Sequence, residues 1–198
     1  MARPRKKLTS DITMDLPALT CGQVQLLMDE EHQQRVVQKG MLRAEVSLDI
    51  ATADFKAMMV PSTTGRRRGE SIVAHLARIA QRGVEIRLLH SGVPSSYALA
   101  ELKRGIPQGL TIRRCPRLHA KIVIIDSQSM YLGSANLTGA GLGAKGDHKR
   151  NFETGIWTQD ESLIDAMQDY FNNIWEGRHC DACKRRDVCP VPLEEPEL

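Results

Sequence analysis

Apolar residues recur along the chain in two rhythms, one of period two and one of period three to four. In "AEVSLDIA" (44–51), Val46, Leu48 and Ile50 fall on every second position, which predicts a strand with one buried face. "ESIVAHLARIAQRG" sets Ile72, Leu76, Ile79 and Ala80 at helical spacing and ends on Gly83, a C-terminal cap. "VEIRLLH" (84–90) predicts a second strand and "SSYALAELKRG" a short helix. "GLTIRRC", "HAKIVII", "SMYLGS" and "ETGIWT" predict further strands, and the unbroken apolar run Ile122 to Ile125 suits a strand buried on both faces. Leu163, Ile164, Met167, Phe171, Ile174 and Trp175 mark one face of a long last helix. Upstream, Val24, Leu27, Met28, Val36 and Val37 predict a helix over 22–40, capped by Gly40, and "PSTTGRRRG" reads as a loop. The alternation of strands and helices predicts an α/β sandwich around a mixed sheet.

At 198 residues the chain accommodates one domain with a small appendage. The organisation expected is a flexible basic arm over 1–20, a domain over 21–176 and a cysteine-rich tail over 177–198. A net charge of +3 is mild but unevenly spread, with "RPRKK" near the start, Arg66, Arg67 and Arg68 in one loop, and Lys184, Arg185 and Arg186 in the tail. Such clusters fit a polyanionic partner, DNA foremost, as well as plain solvated surface. Aromatics are only 4% of the chain, so sequence-selective stacking on bases is not supported. No apolar run approaches a membrane span, which implies no membrane partner and a cytoplasmic location. In that reducing compartment, three of the five cysteines crowded within ten residues argue for a metal rather than disulfides.

The chemistry concentrates in "LHAKIVIIDSQSMYLGSANLTGAGL". Residues two apart on an extended chain share a side, so His119 and Lys121 present an imidazole and an ammonium together. Gly133 allows close backbone approach, and Ser134 and Asn136 add a hydroxyl and an amide. A base or nucleophile beside several donors suits a phosphoryl group. His119-x-Lys121-x4-Asp126-x6-Gly133-Ser134-x-Asn136 resembles the HKD signature of the phospholipase D superfamily, and Asn151–Glu153 resembles its trailing N-x-E element. The resemblance spans roughly residues 40 to 176 as an element order and is specific from His119 to Glu153.

The resemblance implies a phospholipase D-like α/β/α sandwich and a metal-independent phosphodiesterase. His119 would attack phosphorus and form a phosphohistidine. Lys121, Asn136 and Ser134 would bind the non-bridging oxygens, and Glu153 would hold the far ring nitrogen of His119. Asp126 is expected in a supporting role. Protonation of the leaving oxygen needs a second histidine, and a single HKD motif then implies a homodimer whose two copies share each site. The small single-motif members look like nucleases, so DNA is the expected substrate. The alternatives are a phospholipid head-group hydrolase and a catalytically silent DNA-binding module with a zinc site.

In the tail, Cys180-x2-Cys183-x5-Cys189-Pro190 supplies three thiolates. Zinc would be completed by His179 or another cysteine, and an iron-sulfur cluster by a fourth thiolate. The spacing resembles the cluster-binding ends of helicase-nucleases, CRISPR-adaptation nucleases and DNA glycosylases. That resemblance implies a 4Fe–4S cluster on Cys21, Cys180, Cys183 and Cys189, with Cys115 the rival fourth ligand. It also brings helicase and defence-system partners, and DNA repair or anti-phage defence, into view.

Overall fold

The computed structural model describes residues 20–21, 24–56, 58–60, 69–92, 108–142 and 145–189. The arm up to residue 19, the Arg66–Arg68 loop and the helix expected over 95–105 lie outside them. Ten strands follow in chain order: β1 (Thr20–Cys21), β2 (Val24–Met28), β3 (Ser47–Thr52), β4 (Met59–Val60), β5 (Glu70–Ser71), β6 (Glu85–His90), β7 (Leu110–Arg114), β8 (Ile122–Ile125), β9 (Ser129–Gly133) and β10 (Thr154–Thr158). β4 and β5 pair with each other, and the other eight form one mixed sheet in the order β1-β2-β10-β9-β8-β3-β6-β7. β3, β6 and β7 run parallel, and every other pairing in the sheet is antiparallel. The mixed-sheet α/β fold expected from the sequence is the one found.

Helices cover both faces. Helix α1 (Ile72–Gln81) crosses from β3 towards β6; Ser71 caps its first turn by accepting from Ala74 N at 3.1 Å. Ile72, Leu76 and Ile79 of α1 pack with Leu48, Ile50, Val123 and Ile125 on one face. Helix α2 (Glu161–Trp175), capped by Asp160, lays Ile164, Phe171 and Trp175 on the other, against Leu89, Ile122, Ile124 and Met130. Alternate residues of β8 thus serve opposite cores, which is why its run is apolar at every position. Leu163, assigned to the buried face of α2, is 41% exposed at its first turn. Among the described residues no helix is long and apolar enough to cross a membrane.

Two expectations are corrected. Residues 22–40 do not form one helix: Val24–Met28 is a strand paired with β10, and a π-helical turn spans His32–Gln38. The strand's partner lies some hundred residues downstream, so its ladder hydrogen bonds override the local helical spacing. Val46 does not share the buried face of β3; it precedes the strand and is 68% exposed.

Polar contacts pin α2 to the sheet. Asp49 on β3, almost fully buried, accepts two hydrogen bonds from Arg87 on β6, each 2.6 Å, and one from Gln168 on α2. Arg87 also donates to Asn172 at 3.0 Å, and its guanidinium lies over the Phe171 ring at 5.0 Å.

Gly133 stands where β9 crosses β10. A methyl group there would meet the Tyr131 hydroxyl, Gly155 Cα at 2.7 Å and Thr154 O at 2.7 Å, two of them backbone-bound and unable to yield. Gly133→Ala is expected to lower stability by about 1–3 kcal/mol, the range for overpacking. A denaturant midpoint equal to that of the parent protein would contradict the close approach.

Candidate active site

His119 and Lys121 stand at the end of β8 where the chain enters the strand. Lys121 is the last residue before β8 and is nearly buried; Gly133 N donates to its carbonyl at 3.2 Å, tying it to β9. Its ammonium donates to the His119 carbonyl at 2.8 Å and stands 3.3 Å from His119 Nδ1. The expected juxtaposition of imidazole and ammonium is therefore present, with the His119 ring exposed to solvent. Burial pushes the pKa of Lys121 down, and the nearby Glu153 carboxylate partly offsets this.

Ser134 and Glu153 meet across the β9–β10 ladder. Ser134 Oγ donates to Glu153 Oε2 in a short contact and accepts from Thr154 N at 3.0 Å. Asn151 Nδ2 donates to the other Glu153 oxygen at 3.1 Å. In the single chain Glu153 is thus engaged by Ser134 and Asn151, and the expected hydrogen bond to the His119 ring is not among those it makes. Asn136 offers its Oδ1 to Asp54 N at 3.1 Å and to Thr52 Oγ1 at 3.3 Å. Thr52 Oγ1 also accepts from Leu137 N at 3.0 Å, and together these orient the Asn136 amide so that Nδ2 is its donor for a ligand.

Asp126 is elsewhere. It lies at the opposite end of β8, five residues beyond Lys121 and so ~16 Å away along an extended chain. Its carboxylate accepts from the backbone N–H groups of Glu45, Val46 and Ser47, at 2.8–3.2 Å. With φ values of 53° and 52°, Asp126 and Ser127 also form, with Gln128, the three-residue turn into β9. Its supporting role is the pinning of β3, remote from the chemistry.

A further pair stands behind Glu153, with no motif to announce it. Asp29 N donates to Glu153 O at 3.0 Å, and Asp29 Oδ1 accepts from Glu153 N at 3.0 Å. His32, fully buried, holds the Asp29 carbonyl through Nδ1 at 3.0 Å and meets Tyr131 edge-on at 5.3 Å. Burial lowers the pKa of His32 and raises that of Tyr131 to about 12. Asp29 and His32 sit in a polar stretch with no motif, so only the β2–β10 pairing reveals them.

In the tail, Lys184 and Arg185 are exposed, and the side chain of Arg186 lies outside the described residues. Arg185 donates to Pro116 O at 3.3 Å, which brings the tail to within three residues of His119 in the chain. Cys180, Cys183 and Cys189 line one cavity, and Cys115 lines it with them. Cys21 is not brought there: β1 and β7 form opposite edges of the sheet, seven strand spacings or ~34 Å apart.

Comparison with known proteins agrees with this geometry. Residues 37–175 match the family described as "Cardiolipin synthase, PLD-like domain". Cardiolipin synthase A of Pseudomonas putida (strain GB-1) is 29% identical over 127 residues, covering 60% of this chain and 25% of that protein. Cardiolipin synthase A of Pseudomonas aeruginosa (strain LESB58) is 30% identical over 109 residues, covering 50% of this chain and 20% of that protein. The chain thus spans a quarter or less of the length of these curated relatives. Among solved structures, NucT from Helicobacter pylori superposes with a TM-score of 0.57 at 17% identity, covering 77% of this chain and 95% of that one. The phospholipase D family member Nuc from Salmonella typhimurium gives 0.57 at 18% identity, covering 77% and 93%. The pairing of His119 with Lys121 on a sheet of this topology, together with the family match over residues 37–175, places the chain in the PLD-like domain family of cardiolipin synthase.

Proposed function

We propose that the protein is a metal-independent phosphodiesterase that cleaves DNA through a phosphohistidine. The observation that carries this is the exposed His119 imidazole with the Lys121 ammonium 3.3 Å away. A ring nitrogen of His119 attacks phosphorus and the bond to the leaving oxygen breaks. Lys121 and the Asn136 amide stabilise the non-bridging oxygens as charge builds, and Ser134 joins them when its hydroxyl turns from Glu153. Water then attacks the phosphohistidine and restores the imidazole.

The leaving oxygen needs a proton, and no second histidine of the same chain is joined to His119 in the contacts described. His32 and His90 are fully buried, His75 pairs with Glu70 at 3.6 Å, and the exposed His148 and His179 make no hydrogen bond to His119 among the described residues. A second copy supplies the acid, so the active form is a homodimer. Phe152, 96% exposed between Asn151 and Glu153, offers that copy an apolar anchor beside the site.

A DNA substrate is supported by the exposed Arg117 two residues before His119, and by Lys184 and Arg185 on the tail docked beside it. The chain also matches nearly the full length of NucT and Nuc, against a quarter of a cardiolipin synthase. Identity of about 30% to cardiolipin synthases favours phospholipid chemistry as the second reading. The purified protein with EDTA present is expected to shorten single- or double-stranded DNA and to release no head group from anionic phospholipid vesicles. Lipid turnover with intact DNA would reverse the assignment. Sedimentation at assay concentration checks the assembly, and an active strict monomer would exclude the shared site.

A further inference from the structure

We infer that Cys115, Cys180, Cys183 and Cys189 bind a 4Fe–4S cluster that fastens the C-terminal tail to the turn carrying His119. The four side chains line one cavity of about 230 Å³, far more than a single ion fills. Cys115 follows edge strand β7 directly, with its N–H on His90 O at 2.8 Å and its carbonyl taking Leu118 N at 2.9 Å. On the tail, Cys180 N donates to Gly177 O and Cys183 N to Cys180 O, forming tight turns just beyond α2. Two contacts independent of sulfur hold these segments together: Arg113 on Trp175 O at 2.7 Å and Arg185 on Pro116 O at 3.3 Å.

The number of thiols favours a cluster as the occupant. Tetrahedral zinc with bonds of ~2.3 Å needs sulfurs ~3.8 Å apart. Among the described residues, no three His, Cys, Asp or Glu side chains stand close enough to hold one ion. A cluster puts each thiolate on a different iron and so takes ligands set farther apart around a real cavity. Arg117 and Arg185 on the same cavity offset the negative charge of four thiolates. Cys21, at the far edge of the sheet, is excluded from the set.

Cys115 is four residues from His119, and the intervening Leu118 is buried in the core beneath α2. The cluster therefore braces the segment that presents the nucleophile, and its binding depends only on the cysteines, not on which substrate is cleaved.

The test is full-length protein purified without air, measured for iron, sulfide, zinc and absorption at about 400 nm. Wild type and Cys21→Ser are expected to carry about four irons per chain, and Cys115→Ser to lose most of them. Loss in Cys21→Ser with retention in Cys115→Ser overturns the ligand set. Stoichiometric zinc without iron, or no metal in anaerobic protein, overturns the cluster. Because Cys115→Ser could unfold the edge strand, alkylation of wild type gives a second reading. Cys115, Cys180, Cys183 and Cys189 should resist iodoacetamide until the cluster is destroyed by oxidation with a chelator. Cys115 reacting as readily before as after would exclude it as a ligand.

Discussion

Replacing His119 by alanine is expected to reduce DNA cleavage by about 10⁴-fold or more, the scale on which an enzyme loses rate when its nucleophile is removed. The effect should fall on turnover and leave the fold intact. His119 is exposed and its ring touches only the Lys121 ammonium, so truncation opens no cavity and strands no buried polar group. Thermal stability should change by no more than about 0.5 kcal/mol, as for surface positions generally. Binding of uncleaved DNA should persist, because Lys121, Arg117 and the tail cations are untouched. Single-turnover kinetics beside a filter-binding assay separate the two. Cleavage within tenfold of the parent protein would remove the imidazole from the chemistry.

Arg87→Met is expected to destabilise the fold by about 3–5 kcal/mol, the cost of leaving one member of a buried ion pair alone. Asp49 is 5% exposed and would retain only Gln168 as a partner. The methionine also gives up the stacking of the guanidinium over Phe171 and its bond to Asn172. Asp49→Asn in the same background removes the stranded charge and should recover part of the loss. The difference has a defined pH course. An isolated buried carboxylate prefers its neutral form, so the variant binds a proton more readily folded than unfolded. Its deficit should therefore narrow as the pH falls towards the carboxylate range. Urea unfolding of the three variants at two pH values measures this; equal midpoints for Arg87→Met and the parent would show the pair to be idle.

The sequence made the site's chemistry legible and its wiring much less so. His119 and Lys121 are legible because residues two apart on an extended chain share a side; Ser134 and Asn136 add donors, and Glu153 is legible only through the resemblance to the HKD signature. The core strands β6 to β10 and both helices were visible because each carries a full period of apolar residues. What failed depended on partners distant in sequence. Val24–Met28 has the apolar spacing of a helix, and only pairing with β10 makes it a strand. Asp126 is expected in a supporting role, but what it supports, the backbone leading into β3, depends on a pairing distant in sequence. Cys115, the rival of Cys21 as fourth ligand, stands only four residues before the nucleophile, which by itself argues against pairing it with a tail. The sheet order turns that objection round by carrying the tail to the same edge.

The turn at Asp126–Ser127 works as a counting device. Ile125 and Ser129 are opposed across it, so each step back along β8 is matched by one step forward along β9, ending with Lys121 beside Gly133. One added residue in that turn would shift the count and send alternate side chains to the wrong layer. Lys121 would then no longer lie beside Gly133. The spacing between the two halves of the motif is therefore a measured length, fixed by the three residues that separate Ile125 from Ser129.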